Sequence, residues 1–115
     1  NHVVFYSQTK DLKDCDGLLR GDKIKFYKNA DDFFNSKRNQ RVILITTKGI
    51  KSYTKFNFKI SDTLLFGRES AGVPNKVHKI ANEKLKIPMA KNKRSLNLAT
   101  SVGIVLAEQI RQVKN

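Results

Sequence analysis

Short apolar runs alternate along this chain with stretches whose apolar residues recur at helical spacing. Val3-Val4-Phe5-Tyr6 and Ile24-Lys25-Phe26-Tyr27 predict two short strands. Between them, residues 11–20 are polar and read as a short helix or a loop closed by Gly21. Asn29 is placed to cap a helix carrying Phe33 and Phe34. Residues 41–46, with Val42-Ile43-Leu44-Ile45 at their centre, form an uninterrupted and largely β-branched run. That pattern predicts a strand buried on both faces. Tyr53, Phe56 and Phe58 lie in a stretch of no clear period. Thr63-Leu64-Leu65-Phe66 predicts another buried strand, stopping at Gly67. Pro74-Asn75 opens a helix expected over 76–82, and Leu85-Lys86-Ile87 a strand ending at Pro88.

The last segment is helical. Leu98, Val102, Val105, Leu106 and Ile110 fall at offsets of 0, 4, 7, 8 and 12, which is one face of a helix. Ala99, Gly103 and Ala107 form a second line, fitted either to core packing or to close approach of a second subunit. Strands alternating with helices predict an α/β fold with a mostly parallel, Rossmann-like sheet flanked by helices. At 115 residues the chain suits one domain, with no room for a second large one and no Pro/Gly/Ser linker expected within it.

Composition changes the picture in two ways. Lysine and arginine number 23 against 10 acidic residues, a formal charge of +13, and such a field attracts polyanions, nucleic acid foremost. Cys15 is alone, so no internal disulfide is available, and a reduced intracellular setting is the simplest expectation. With His2 and His78 isolated, no metal site of recognised spacing is expected. No apolar run reaches the roughly 18 residues of a spanning helix, so no membrane partner is expected. The residues from Asn1 to Tyr6 do not read as a signal peptide.

In parallel sheets ligands bind beyond the carboxyl ends of the strands, which directs attention to three loops. Thr46-Thr47-Lys48-Gly49 suits a tight turn that exposes backbone groups. The loop from Gly67 to Pro74 lets a ligand approach the backbone at Gly67, and it matches neither a Walker loop nor the dinucleotide fingerprint. The loop from Pro88 to Asn97 combines an apolar wall at Ile87 and Met89 with the cations Lys91, Lys93 and Arg94. Ser95 and Asn97 there are candidate caps of the terminal helix, whose N-terminus favours anions.

Together these loops resemble the ribose 2′-O-methylating branch of the SPOUT superfamily. The resemblance rests on Phe66-Gly67-Arg68-Glu69-Ser70-Ala71-Gly72, Ile87-Pro88-Met89 and Ser95-Leu96-Asn97-Leu98, with Thr46-Thr47-Lys48-Gly49 and Pro74 pointing to its small tRNA wobble-nucleotide enzymes. It implies a single methyltransferase domain over 1–115, a trefoil knot within about 63–112, and S-adenosyl-L-methionine as cofactor. By motif, the cofactor contacts are Ile45, Gly67, Ile87 and Ser95, then Met89 and Leu96, with Glu69 and Asn97 supporting the loops or the reacting centre. Lys91, Lys93 and Arg94 would meet the RNA. It also implies tRNA as partner, a homodimer and a cytoplasmic enzyme. The family's early Asn-x-Gly-x-x-x-Arg motif is not in this sequence. One strand and one helix are therefore expected to precede Asn1 in a longer protein, and no catalytic residue is assigned. The alternative is a catalytically inactive RNA-binding relative or fragment. A small ribosomal structural protein would need basic tails that the sequence lacks.

Overall fold

The computed structural model describes residues 2–6, 12–16, 23–37, 39–46, 49–67, 75–88 and 98–114. Strands β1 (His2–Tyr6), β2 (Leu12–Asp16), β3 (Lys23–Tyr27), β4 (Val42–Ile45), β5 (Lys51–Ser52), β6 (Thr63–Phe66) and β7 (Glu83–Lys86) form one sheet, in the order β3-β2-β1-β6-β4-β7-β5. From β1 to β5 across that order every pairing is parallel. The β1–β2 and β2–β3 pairings are antiparallel and add a meander at one edge. Helices α1 (Ala30–Ser36), α2 (Asn75–Ile80) and α3 (Leu98–Lys114) flank the sheet. This is the mostly parallel α/β arrangement that the alternation predicted.

One prediction needs correcting. Residues 12–16 form strand β2 rather than a helix or loop. Leu12-Lys13-Asp14-Cys15-Asp16 has little strand propensity of its own. It is held by partners on both sides, with Leu12 opposite Tyr6 on β1 and Tyr27 on β3. The fully buried Leu12 supplies the packing.

The central strands carry the core on both faces. All four residues of β4 and all four of β6 are buried, and alternation sorts them. Val42, Leu44 and Leu65 join Val4, Leu12, Tyr27, Phe33, Val77 and Ala81 beneath α1 and α2. Ile43, Ile45, Leu64, Phe66 and Leu85 join Val105 and Leu106 of α3 on the opposite face, with Phe56 and Phe58. Each fully buried Leu or Phe contributes about 1.5–3 kcal/mol. Helix α1 starts where expected. The Asn29 side chain accepts from the Asp32 N–H at 2.9 Å, and Asp31 and Asp32 in the first turn suit the positive end of the helix.

Helix α3 is tied to the segment before β6 by side-chain amides. Gln112 accepts from the Phe58 N–H at 2.7 Å and donates to the Phe56 carbonyl at 2.9 Å. Gln109, fully buried, donates to the Lys59 carbonyl at 2.9 Å and to the Asp62 carbonyl at 3.3 Å. Ala99, Gly103 and Ala107 lie on the outer side of α3, all exposed, and a Cβ at Gly103 would meet open space. Among the described residues, that line of small residues faces outward.

At the amino ends of β4 and β6, the Arg41 guanidinium forms a two-pronged bond with Asp62. Nε lies 2.7 Å from Oδ1, and the second prong runs from Nη2 to Oδ2. Asp62 is fully buried; Arg41 also reaches the Asn57 carbonyl at 3.1 Å and lies 4.9 Å from the Phe56 ring centre. Asp62 also accepts from the Lys59 N–H at 2.8 Å. The carboxylate raises the Arg41 pKa further above its ordinary value, chiefly through that hydrogen bond. These groups stand at the end of the sheet away from the strand-end loops, so they brace the scaffold rather than meet a ligand.

Candidate functional site

The three strands whose ends were singled out in the sequence lie side by side in the sheet, in the order β6-β4-β7. Their register brings the carboxyl ends level. Ile45 pairs with Phe66 on one side and with Leu85 on the other. Gly67 and Ile87 each stand one residue past the last paired position of their strand. Ile45 is buried, while Gly67 and Ile87 are half-buried. Ile45 belongs to the core cluster under α3, and Ile87 packs against it. Apolar side chains on β4 and β7 thus stand beside a residue without one on β6, at the edge where the ladder stops.

The turn after β4 crosses the end of β7. The Thr46 N–H donates to the Leu85 carbonyl at 2.8 Å, and the Gly49 N–H closes the turn on the Thr46 carbonyl at 3.1 Å. Gly49 then presses on the β7 main chain. A Cβ there would lie 2.5 Å from the Leu85 carbonyl carbon, 2.7 Å from its oxygen and 2.8 Å from the Lys86 nitrogen. From this crossing the chain enters β5, on the far side of β7 from β4. The sequence suggested a glycine for a tight turn; the close crossing of two main chains is the stronger reason for it, and nothing in a lone glycine signals that.

Of the sequence-derived site residues, Ile45, Gly67 and Ile87 come together on adjacent strand ends. Glu69, Met89, Lys91, Lys93, Arg94, Ser95, Leu96 and Asn97 lie outside the described residues. Among the described residues, no group of three or more His, Cys, Asp or Glu side chains is placed to hold a metal. No helix among them is long and apolar enough to cross a membrane. Sequence reasoning passed over the structural pair Arg41–Asp62. Arg41 reads there only as the start of a strand, and its partner is 21 residues away.

What this arrangement can bind is a flat, largely apolar group held against main-chain donors and acceptors at the head of a parallel sheet. Comparison with known proteins agrees. The family model described as the SpoU rRNA Methylase family matches residues 16–107. A tRNA (cytidine(34)-2′-O)-methyltransferase of Beijerinckia indica is 47% identical over 74 residues, covering 64% of this chain and 46% of the relative. A solved structure reported for the 2-OH methylation of C/U34 on tRNA has a TM-score of 0.70 at 38% identity, over 75% of this chain and 57% of that one. The AdoMet-bound rRNA methyltransferase of Sinorhizobium meliloti has a TM-score of 0.66 at 34% identity, over 72% and 33%. The chain spans about half the length of the curated relatives it matches. With most of its length matched by one family model, and with the same parallel sheet in its solved neighbours, this chain belongs to the SpoU rRNA methylase family.

Proposed function

We propose that the protein transfers the methyl group of S-adenosyl-L-methionine to a ribose 2′-hydroxyl of tRNA, at the wobble nucleotide. The carrying observation is that Ile45, Gly67 and Ile87 stand at the carboxyl ends of three adjacent parallel strands, within two register positions of one another, in a member of this family. The relatives' names and the cofactor-bound neighbour support the choice of substrate and cofactor.

The residues present fit the cofactor. Ile45 and Ile87 offer apolar contact for an adenine ring, and Gly67 leaves its main chain open to close approach. In this reading Ser95, Met89 and Leu96 complete the grip, while Glu69 and Asn97 hold the loops. Lys91, Lys93 and Arg94 neutralise RNA phosphates beside the helix N-terminus. When bound, the cofactor supplies an electrophilic methyl group on a sulfonium. The chain's part is to position the hydroxyl and to exclude water around it. The trefoil knot belongs to the same proposal, supported by the close approach of Gly49 to the β7 main chain between β4 and β5. So does a homodimer, supported by the outward line of Ala99, Gly103 and Ala107, and so does residence in the cytoplasm.

Calorimetric titration of the chain with S-adenosylmethionine, then methyl transfer to tRNA read by nucleoside mass spectrometry, tests this. Saturable binding and a 2′-O-methylated nucleotide 34 are expected. Absence of heat at high micromolar cofactor, or tRNA binding with no methyl transfer, refutes it.

A further inference from the structure

The free edge of the sheet beside the strand-end site is strongly cationic. Strand β7 carries Lys84 and Lys86, and β5 with the turn after it carries Lys51 and Lys55. Lys51, Lys55 and Lys86 are exposed and Lys84 is half-buried. None of the four has an ion-pair partner among the described residues. Lys84 pairs with Leu44, so Lys84 and Lys86 stand on the face of α1 and α2, two positions and roughly 6–7 Å apart along the strand. The acidic residue of β7, Glu83, pairs with Ile43 and so lies on the opposite face. Lys86 immediately precedes Ile87 at the candidate site, whereas Lys51 pairs with Leu85 and so lies on the opposite face, 6.0 Å from the Phe56 ring centre.

We infer that the β7–β5 edge is a docking rail for the RNA sugar–phosphate backbone, delivering the substrate to the strand ends. The inference rests on the RNA-methylating reading and adds residues other than Lys91, Lys93 and Arg94. Charge complementarity selects the occupant. Lys84 and Lys86, on one face of β7 and without ion-pair partners among the described residues, favour a polyanion with regularly spaced charges, and contacts of this kind position without reading sequence. Edge lysines also occur simply to stop sheets from joining edge to edge, and the experiment separates the two roles.

Binding of full-chain protein to a tRNA transcript is measured by filter retention from 50 to 400 mM KCl for wild type, K84Q/K86Q, K86Q alone and K28Q/K59Q. The last pair removes equal charge from exposed sites elsewhere that have no ion-pair partner among the described residues. Each phosphate contact contributes about 0.7–0.9 to the slope of log affinity against log salt. K84Q/K86Q is therefore expected to flatten the slope by about 1.4–1.8, and its fall in affinity from 50 to 200 mM salt becomes roughly 7- to 12-fold smaller than that of wild type. K86Q alone gives about half the slope change, and K28Q/K59Q none. Thermal melts check that each variant is folded; the exposed Lys86 keeps the test open if the double variant is not. Unchanged slopes with new self-association in K84Q/K86Q overturn the rail in favour of edge protection. Equal flattening in both double variants overturns it in favour of net charge. Wild-type protein without tRNA affinity instead overturns the RNA-methylating reading, and the rail with it.

Discussion

Replacing Gly49 with alanine puts a methyl group 2.5 Å from the Leu85 carbonyl carbon and under 3 Å from two further main-chain atoms. No rotamer relieves this, because the obstructing atoms belong to a strand paired on both sides. The turn must lift. Lifting strains or breaks the Thr46 N–H bond to Leu85 at 2.8 Å and loosens β5, whose pairing is to β7. Overpacking of this kind costs about 1–3 kcal/mol, and a lost main-chain hydrogen bond about 1 kcal/mol more. The expected loss is therefore about 2–4 kcal/mol, a large share of the roughly 5–15 kcal/mol available to a domain. In urea, with a slope of about 1.5 kcal/mol/M, the unfolding midpoint falls by about 1–3 M. Gly49→Ser should fall as far. A Gly49→Ala protein within about 0.5 kcal/mol of wild type, the range of an ordinary surface substitution, would show that the two main chains do not cross so closely.

Three further outcomes follow from the scaffold. Arg41→Met leaves the buried Asp62 carboxylate without its guanidinium and should cost about 2–4 kcal/mol in urea unfolding; a loss no larger than that of Lys28→Gln would refute the bracing role. Gln112→Ala strips partners from the Phe58 N–H and the Phe56 carbonyl and should cost about 1–3 kcal/mol, with faster hydrogen exchange at Phe58; unchanged exchange there would count against the tie. Glu108 is held down to about 2 from its ordinary 4.5 by hydrogen bonds from Arg111 and then Gln112. A carboxyl lowered on folding stabilises above its unfolded value and loses that contribution as pH falls through its folded one. The stability gap between wild type and Glu108→Gln should therefore be full above about pH 5 and close between about 4.5 and 2; a gap constant down to pH 2 would contradict it.

The sequence made the elements with strong intrinsic signals readable. Val42-Ile43-Leu44-Ile45 and Leu64-Leu65-Phe66 are apolar without interruption because both their faces are covered, and the periodic apolar positions Val102, Val105, Leu106 and Ile110 of α3 follow from packing on one. Strand β2 was not readable, since Lys13, Asp14 and Asp16 carry no strand signal and the pairing that holds them comes from elsewhere in the chain. Placing Ile45, Gly67 and Ile87 at strand ends was legible, because glycine and proline punctuate the loops there. That these ends lie side by side on neighbouring strands was not, since β4, β6 and β7 meet out of chain order. The Arg41–Asp62 pair and the Gly49 crossing stayed hidden for the same reason: their partners are distant in sequence and nothing local marks them.

The position of β5 has a consequence for how the chain assembles. Its ladder partner is β7, and β7 must first settle beside β4. Lys51 and Ser52, though made early, therefore have nowhere to dock until residues 83–86 have been synthesised and laid down. A pairing so non-local closes slowly. The β7–β5 side of the carboxyl-end rim, beside the candidate site, then takes shape only once β7 is in place, and a ligand that bridges those strand ends would hasten the completion of the fold as well as occupy it.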